Sequence, residues 1–227
     1  MTEQNPAILL TIAIIGGTGK EGSGLAKRWA TSGYRVIIGS RDAERAQQRV
    51  DELNTEMGGT YLHGMDNLSA AKEANLVVVT VPYSAHKTTF EALRPLVQGK
   101  IVIDVTVPVV PPNIRVVNVP PGKAAALESQ AILGPGVKVV AAFQTVSHTH
   151  LRDSGRSADC DVLICGEDDE AKSEVIKLAE AAGMRGLDAG PLANAVAVEA
   201  MGPVLIWLNK RYKVKGAGLV ISGLDHT

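Results

Sequence analysis

The stretch AIIGGTGKEGSG, residues 13–24, decides the fold that this sequence predicts. It continues an apolar run that starts at residue 11 and leads into a helical pattern over residues 20–33. Its glycines follow the spacing G-x-G-x-x-G, at Gly17, Gly19 and Gly22. In that pattern the first glycine makes a tight turn, the second lets the backbone approach a pyrophosphate, and the third allows close helix–strand packing. A simple tight turn is the alternative, but the flanking strand and helix favour a dinucleotide-binding site, with an anion at the helix start.

A phosphate-binding loop of the nucleoside triphosphatase type does not fit the same residues. That loop needs a glycine, four intervening residues and then Gly-Lys-Ser/Thr. Here Glu21 follows Gly19 and Lys20, and Ile14 stands where the first glycine should be. The sequence therefore excludes this class of nucleotide site.

The end of the second predicted strand, residues 35–39, indicates which dinucleotide binds. Enzymes that use NAD usually place a carboxylate there to hold the ribose hydroxyls. This chain has Ser40 and Arg41 at that position, with Arg45 on the opening turn of the next helix. Guanidinium groups clamp phosphate in bidentate fashion, so we predict NADP, the alternative being a solvated basic helix start. Asp42 is interpreted as a helix cap.

Apolar runs alternate with helical patterns, which predicts an α/β fold, a Rossmann-type doubly wound parallel sheet with a smaller C-terminal lobe. Strands are predicted at residues 11–15, 35–39, 60–64, 75–82, 100–107, 137–143 and 161–166, with a short one in 184–192. Helices are predicted at residues 20–33, 42–57, 67–74, 84–97, 167–183 and 192–213. We expect an NADP-binding Rossmann domain over residues 1–145. A smaller C-terminal α/β lobe, residues 146–227, would contribute to the acceptor site and to a dimer contact.

Two later segments have distinctive compositions. Residues 108–122 are rich in proline, which lacks an amide donor and clashes with a preceding helical turn. We therefore predict a stiff loop there, near a site. The last predicted helix, residues 192–213, is apolar nearly all round until its basic end. It is interpreted as a core or dimer element, with a kink expected at Pro203.

Composition argues against several classes of protein. The 227 residues carry a formal net charge of −1, which argues against nucleic acid as the main partner. The apolar segments are read as too short and punctuated to approach the ~20 residues of a membrane span. The first residues lack the basic region of a signal peptide. Cys160 and Cys165 are interpreted as reduced core residues. We expect a cytoplasmic protein with no membrane partner.

The chain resembles the reductases that pass a hydride between NADP and the deazaflavin coenzyme F420. The resemblance covers nearly the whole length and rests on the blocks GGTGKEGSGLA, GSRDAER, VTVPYSAH, CGEDDEAK and LDAGPLANAVAVEAMGP. The last two blocks are the most specific, because a generic Rossmann protein has no reason to carry them. The N-terminal domains of membrane-bound metalloreductases look similar too, so the likeness in fold is shared.

The resemblance implies a set of cofactor-binding residues, which agrees with the reading above for the 2′-phosphate. The residues expected to hold NADP(H) are Gly17, Thr18, Gly19, Lys20, Glu21, Ser40, Arg41, Arg45, Val81, Pro82 and Tyr83. The first five would cradle the pyrophosphate and adjoining ribose, the next three the 2′-phosphate. The last three would flank the cofactor at the crevice of the sheet.

The turn QTVSH, residues 144–148, would meet the nicotinamide and the deazaflavin ring. Gln144 and Thr145 would orient the acceptor ring by hydrogen bonds. His148 would donate to a developing negative charge on that ring, or it is an ordinary surface-turn histidine. The family commonly has a histidine where Gln144 stands, so this chain departs from the pattern on the acceptor side. Both cofactors are intrinsically reactive, so neither a nucleophile nor a metal site is expected.

Three polar residues near these segments have both a functional and an ordinary interpretation. Asp104, at the carboxyl end of a predicted strand, would act as an acid or base or simply cap a loop. Arg152 and Arg156 would steer an anionic substrate tail or form a solvated loop. His148 and His150 could suggest a metal pair, but no third ligand is nearby in the sequence.

The sequence leaves three hypotheses for function. The first is an NADP-dependent oxidoreductase that uses F420 as its co-substrate. The second is an NADPH-dependent reductase of another acceptor: a flavin, a metal chelate or a small carbonyl or imine compound. The third is a non-catalytic NADP-binding redox sensor. Two copies packed through the last helix would supply both lobes of an acceptor pocket, so a homodimer is expected.

Overall fold

The computed structural model describes residues 10–152 and 158–224, and within them the strands form one mostly parallel sheet. The strands are β1 (Thr11–Ile15), β2 (Arg35–Ser40), β3 (Leu62–Asp66), β4 (Leu76–Val79), β5 (Ile101–Asp104), β6 (Lys138–Ala141), β7 (Asp161–Gly166) and β8 (Arg185–Asp188). Their order is β3-β2-β1-β4-β5-β6-β7-β8. Neighbours are parallel except β6 and β7, which are antiparallel. The predicted doubly wound α/β fold is confirmed, with this one antiparallel step.

Helices cover both faces of the sheet. They are α1 (Lys20–Thr31), α2 (Ala43–Met57), α3 (Asn67–Glu73), α4 (Tyr83–Leu93), α5 (Ala125–Leu133), α6 (His148–Leu151), α7 (Asp169–Ala181) and α8 (Ala195–Tyr212), with short 3₁₀ turns at Arg94–Leu96 and Leu192–Asn194. One apolar core lies under α1, α2 and α7, and the other under α3, α4, α5 and α8.

The central strand β1 shows why the buried strands lack an apolar–polar alternation. Ile12 and Ile14 point into the core under α1, while Ala13 and Ile15 point into the opposite core. All four side chains are fully buried. A strand covered on both faces needs apolar residues at every position, which is the pattern of a parallel sheet between two helix layers.

The sheet runs without a break across the expected domain boundary between residues 145 and 146. In the antiparallel pair, Ala141 of β6 is opposite Cys165 of β7. The two halves are also joined on one helical face, where Trp29 of α1 donates its indole N–H to the carbonyl of Leu178 in α7 at 2.8 Å. The division into two domains remains a prediction.

Two helices were not predicted, and α5 shows why. Its N-terminus has no side-chain cap from its own residues. Instead the carboxylate of Glu199, on α8, accepts hydrogen bonds from the amides of Ala125 at 2.7 Å and Ala126 at 3.0 Å. A cap supplied from so far along the chain leaves no local signal. The other helix, α6, is a single short turn.

Several segments bear on the remaining expectations. Residues 108–122 form no helix or strand, as the prolines predicted. Cys160 and Cys165 are free, buried thiols, also as expected, and burial raises the pKa of each to about 11. One expectation was wrong: the stretch Leu192–Tyr212 is long and apolar enough, by length and composition, to cross a membrane. Helix α8 continues past Pro203.

Candidate functional site

The glycines in the loop after β1 are of two kinds: some are required by packing within the protein, and one is not. A Cβ on Gly17 would lie 2.7 Å from the carbonyl oxygen of Ile14, and a Cβ on Gly22 would lie 2.7 Å from the Cα of Gly17. These two glycines are therefore required by the packing of the loop against the strand and of α1 against the loop. At Gly19 the nearest atom to a Cβ is 3.7 Å away, so protein packing does not require glycine there. The open space at Gly19 is compatible with the prediction that a ligand approaches the backbone there.

The start of α1 has no side-chain cap. Gly19 is its N-cap and supplies no side-chain hydrogen bond to the first turn. Helix N-termini leave backbone N–H groups unpaired, and these groups favour a phosphate. Asn67 supports the loop from α3: its side-chain oxygen accepts a hydrogen bond from the amide of Gly16 at 3.2 Å. Sequence reasoning missed Asn67, because nothing near the glycine motif indicates it.

The corner after β2 presents the cations expected for a 2′-phosphate. Asp42 accepts hydrogen bonds from the amides of Glu44 at 2.9 Å and Arg45 at 3.4 Å, so it caps α2 as predicted. Arg41 and Arg45 are exposed and, among the described residues, neither forms an ion pair. Ser40 and Arg41 line a cavity of about 320 Å³ beside the start of α3. The arrangement leaves the guanidinium groups available to a ligand.

A second cavity, which we call the crevice cavity, lies where the carboxyl ends of β4, β5 and β6 meet. It has a volume of about 370 Å³. Val81, Pro82 and Tyr83 line it, as the resemblance implied, together with Glu21, Thr80, Ser84, Val105, Thr106, Val107, Val109, Pro111, Phe143, Gln144 and Val146. Ligands of open parallel sheets bind in this position. The proline-rich segment contributes Val109 and Pro111, so it lies near the candidate site as predicted.

Three polar atoms in the crevice cavity have no partner within the described protein. They are Glu21 Oε1, Thr106 Oγ1 and Gln144 Oε1, all of them buried. Buried polar groups are nearly always hydrogen-bonded, so three unpaired atoms on residues that line one cavity leave unused hydrogen-bonding capacity beside it. Gln144 donates its Nε2 to the carbonyl of Asp104 at 2.8 Å, which leaves its Oε1 free to accept.

The carboxyl of Glu21 is unusual. Burial raises the pKa of Glu21 from 4.5 to about 8, so the group is mostly protonated at neutral pH. A protonated carboxyl adds no negative charge beside a bound pyrophosphate, and it can donate as well as accept a hydrogen bond. The position of this acid next to the glycine loop is therefore compatible with an anionic ligand.

Asp104 is not available as an acid or base in the crevice. His86 Nε2 lies 2.8 Å from Asp104 Oδ2, and the amide of Thr106 donates to Asp104 Oδ1 at 3.0 Å. Asp104 is fully buried and His86 is 1 % exposed. The bond from the Thr106 amide is the one that a loop cap makes. The partnership with His86, which sequence reasoning missed, fixes α4 to the end of β5.

The expected acceptor residues are divided between two cavities. Gln144 lines the crevice cavity, and Thr145 is buried beside it. His148 lines a different cavity, of about 400 Å³, together with Lys20, Lys27, Arg49 and Arg152. His150 is bonded to the carbonyl of Gly216 at 2.6 Å. The described residues hold no group of three His, Cys, Asp or Glu suited to a metal, and Arg156 lies outside them.

Comparison with known proteins gives a consistent result. The family model described as NADP oxidoreductase, coenzyme F420-dependent, matches residues 11–108. The chain is 38% identical to the F420-dependent NADP reductase of Methanocaldococcus jannaschii, over 95% of this chain and 100% of that one. It is 37% identical to the F420-dependent NADP reductase of Methanothermobacter thermautotrophicus, over 96% and 97%. A crystal structure titled as a putative F420-dependent NADP-reductase from Arthrobacter sp. FB24 matches with a TM-score of 0.77 and 26% identity, over 94% and 99%.

Proposed function

This chain belongs to the family of F420-dependent NADP oxidoreductases, and from that premise we infer that it transfers a hydride between NADP(H) and the deazaflavin coenzyme F420. It is an NADP-dependent oxidoreductase, and both coenzymes are its co-substrates. The structural observation that best supports this function is the set of unpaired polar atoms around the crevice cavity. The cavity is lined by Glu21, at the end of the glycine loop that is expected to hold the nucleotide phosphates.

We propose that the nucleotide is held from its adenosine end to its nicotinamide end along the carboxyl edge of the sheet. The backbone from Gly17 to Glu21 would hold the pyrophosphate, since the start of α1 has no side-chain cap. Ser40, Arg41 and Arg45 would hold the 2′-phosphate through a hydroxyl and two exposed guanidinium groups. This arrangement favours NADP over NAD, because NAD lacks the 2′-phosphate that those cations would bind.

The crevice cavity would receive the nicotinamide. The free Oε1 of Gln144 is an acceptor suited to the carboxamide NH₂, and its Nε2 is held by Asp104. Val81 and Pro82 would form an apolar wall that excludes water from the reacting atoms. In F420 reduction, NADPH supplies a hydride from C4 to C5 of the deazaflavin, which also gains a proton. The residues expected to orient the acceptor ring remain Gln144, Thr145 and His148.

The direct test of this function is a coupled absorbance assay. Purified protein, NADPH and F420 are mixed, and the absorbance of each coenzyme is followed at its own wavelength. We expect the two coenzymes to be consumed in a one-to-one ratio, as hydride transfer requires. Flavin, ferric chelate and a cyclic imine serve as alternative acceptors. Oxidation of NADPH by one of these and not by F420 would contradict the proposed co-substrate, and tight binding with no oxidation would favour the sensor hypothesis.

We also propose that the protein is a cytoplasmic homodimer that packs through α8, with no membrane or nucleic-acid partner. One face of α8 is buried and carries Glu199 to the start of α5. The other face leaves Val204 and Trp207 exposed, at 37% and 55% of their surface. Light scattering after size exclusion should give twice the chain mass of 23.8 kDa. Trp207→Glu should give a folded monomer, and a wild-type monomer would contradict this proposal.

A further inference from the structure

Glu21 is the one carboxylic acid among the described residues that line the crevice cavity. It is the second residue of α1, so it directly follows the glycine loop that is expected to hold the pyrophosphate. Its Oε1 is buried and has no hydrogen-bond partner among the described residues. Within that part of the chain Glu21 also forms no ion pair. An ionisable group therefore lies at the proposed nicotinamide site with no cationic side chain paired to it.

The rest of the crevice cavity does little to stabilise a negative charge on Glu21. Most of its other lining residues are apolar: Val81, Pro82, Val105, Val107, Val109, Pro111, Phe143 and Val146. Burial raises the pKa of Glu21 from 4.5 to about 8. Desolvation disfavours the charged form of an acid, so the cavity without a ligand favours the neutral carboxyl at pH 7.

Two other titratable side chains near Glu21 keep their protons up to pH 9. Tyr83 also lines the crevice cavity, and burial, together with its hydrogen bond to Glu128, raises its pKa to about 12. Cys160, which precedes β7, is close enough for a charge on Glu21 to affect it, and burial raises the pKa of its thiol to about 11. Neither group therefore changes charge between pH 6 and pH 9.

Helix α6 and α1 itself contribute the remaining charged groups. His148 and Arg152, at the start and end of α6, line a neighbouring cavity together with Lys20 of α1. Burial and the positive charges of Lys20 and Arg152 lower the pKa of His148 from 6.5, so its titration is well separated from that of Glu21. Arg28, further along α1, donates to the main-chain carbonyls of Ala182 and His150. Of the groups around the crevice, Glu21 is thus the one that titrates near pH 8.

The two redox forms of the nucleotide differ by one charge, and that charge is on the nicotinamide. The ring of NADP⁺ is a cation and the ring of NADPH is neutral, while the phosphates and the adenosine are the same in both. An opposite charge within about 4–6 Å lowers the pKa of an acid by about 1–3 units, whereas a neutral ring only adds to its burial. A cationic ring in the crevice cavity would therefore favour the carboxylate of Glu21, and a neutral ring would favour the acid.

We propose that Glu21 sets the preference of the protein between NADP⁺ and NADPH, because it meets the oxidised ring as a carboxylate and the reduced ring as a neutral acid. This inference rests on the proposed function, which assigns the nicotinamide to the crevice cavity. When NADP⁺ binds, the O–H bond of the Glu21 carboxyl breaks, the proton passes to water and the carboxylate balances the charge of the ring. When NADPH binds, the proton stays on Glu21. Binding of NADP⁺ relative to NADPH therefore strengthens as the pH rises.

The test measures the Kd of each nucleotide by calorimetry at pH 6 and pH 9. In the wild type the ratio of the Kd for NADPH to the Kd for NADP⁺ should rise by about tenfold or more, since each pKa unit of coupling corresponds to a factor of ten. The ratio cancels the titration of the 2′-phosphate, which both nucleotides carry. Glu21→Gln keeps the shape of the neutral acid and cannot ionise, so its ratio should change by less than about twofold, as for a change that leaves the remaining contacts in place. Glu180→Gln, at an exposed position on α7, should behave as the wild type does.

Proton release gives a second measurement that does not depend on affinity. In weakly buffered solution at pH 7.5, NADP⁺ should release about half a proton per site or more, because Glu21 is mostly protonated in the free protein and mostly ionised in the complex. NADPH should release none. The release on binding of NADP⁺ should be absent from Glu21→Gln and present in Glu180→Gln.

Two results would overturn the role of Glu21 while leaving the proposed function intact. One is tight binding of both nucleotides by the wild type with a Kd ratio that is the same at pH 6 and pH 9. The other is a ratio that depends on pH equally in the wild type and in Glu21→Gln, since another acid would then be the titrating group. Glu199, whose pKa burial also raises to about 8, is the candidate for that acid. If the wild type binds neither nucleotide, the proposed function fails and this inference fails with it.

Discussion

The side-chain amide of Gln144, a residue that lines the crevice cavity, donates to the main-chain carbonyl of Asp104 at 2.8 Å. Because Nε2 is engaged, Oε1 is the atom left without a protein partner. Asp104 is itself held by His86 and by the amide of Thr106. A chain of buried hydrogen bonds therefore fixes the orientation of the Gln144 side-chain amide beside the crevice cavity.

Removing that acceptor should impair the reaction more than the fold. Gln144→Leu keeps a similar volume and loses the oxygen expected to accept from the nicotinamide carboxamide. We expect kcat/KM for NADPH to fall by about tenfold, the effect of one hydrogen bond in a buried site. Steady-state kinetics measure this, with Gln48→Leu, an exposed position on α2, as the matched control. A change no larger than that of the control would show that Gln144 does not contact the nucleotide.

The preference for NADP should depend on Arg41. Arg41→Ala removes a guanidinium that forms no ion pair among the described residues, so its loss leaves no uncompensated carboxylate there. A charge-assisted hydrogen bond contributes about 1.5–3 kcal/mol, so we expect a loss of roughly tenfold or more in affinity for NADPH. Affinity for NADH should stay nearly constant. Equal losses for the two nucleotides, measured by fluorescence titration, would remove the 2′-phosphate from this corner.

Substitutions at two glycines of the loop should have different effects, one on NADPH binding and the other on stability. A Cβ on Gly19 meets no described atom closer than 3.7 Å, and its φ of −71° suits any residue. Gly19→Ala should therefore keep the melting temperature of the wild type and weaken NADPH binding by about tenfold or more, because the added methyl blocks close approach of the pyrophosphate.

The matched variant in the same loop is Gly22→Ala. Its Cβ would lie 2.7 Å from the Cα of Gly17, a contact that forces the backbone to move. This variant should lose about 1–3 kcal/mol of stability through overpacking. If Gly19→Ala lowers the melting temperature as much as Gly22→Ala, then Gly19 serves packing rather than ligand approach.

Glu21 should make the stability of the unliganded protein depend on pH. Burial raises its pKa from 4.5 to about 8 in the folded state. An acid with a raised folded pKa contributes stability that is fully present below pH 4.5 and is lost as the pH rises through 8. Glu199, whose pKa burial also raises to about 8, contributes in the same direction. The free energy of unfolding should therefore decrease from pH 5 to pH 9.

Glu21→Gln removes one of these two contributions. The variant should match the wild type near pH 5 and exceed it by about 4 kcal/mol at pH 9, since about three pH units separate pH 5 from the folded pKa and each corresponds to about 1.4 kcal/mol. Urea unfolding at both pH values measures the difference, and Glu180→Gln, an exposed carboxyl on α7, is the control. A variant whose pH dependence equals that of the wild type would mean that Glu21 ionises normally in the fold.

An apolar run in the sequence was sufficient to predict a strand's bounds where the whole run is also buried in the sheet. The strand predicted over residues 11–15 has the same bounds in the structure, because the four residues after Thr11 are all apolar and buried on both faces. The strand predicted over residues 75–82 is shorter, Leu76–Val79. The three residues after the strand, Thr80, Val81 and Pro82, leave the ladder to line the crevice cavity, and Pro82 becomes the N-cap of α4.

The acceptor side was harder to predict because one turn serves two cavities. Residues 144–148 were expected to meet the nicotinamide and the deazaflavin ring together, yet Gln144 lines the crevice cavity and His148 lines a separate cavity with Lys20 and Arg152. The short helix α6, which begins at His148, packs on α1, where Leu151 occupies the space that a side chain at position 24 would need. Sequence spacing cannot reveal such a change of direction within one turn.

The most direct test of the account follows the hydride itself. NADPH carrying deuterium at both C4 positions is incubated with the protein and F420, and the reduced deazaflavin is analysed by mass spectrometry and proton NMR. Direct transfer predicts one deuterium at C5 of each reduced molecule and none released to water. Reduced F420 without deuterium, or F420 left oxidised while NADPH remains intact, would contradict hydride transfer between these two coenzymes.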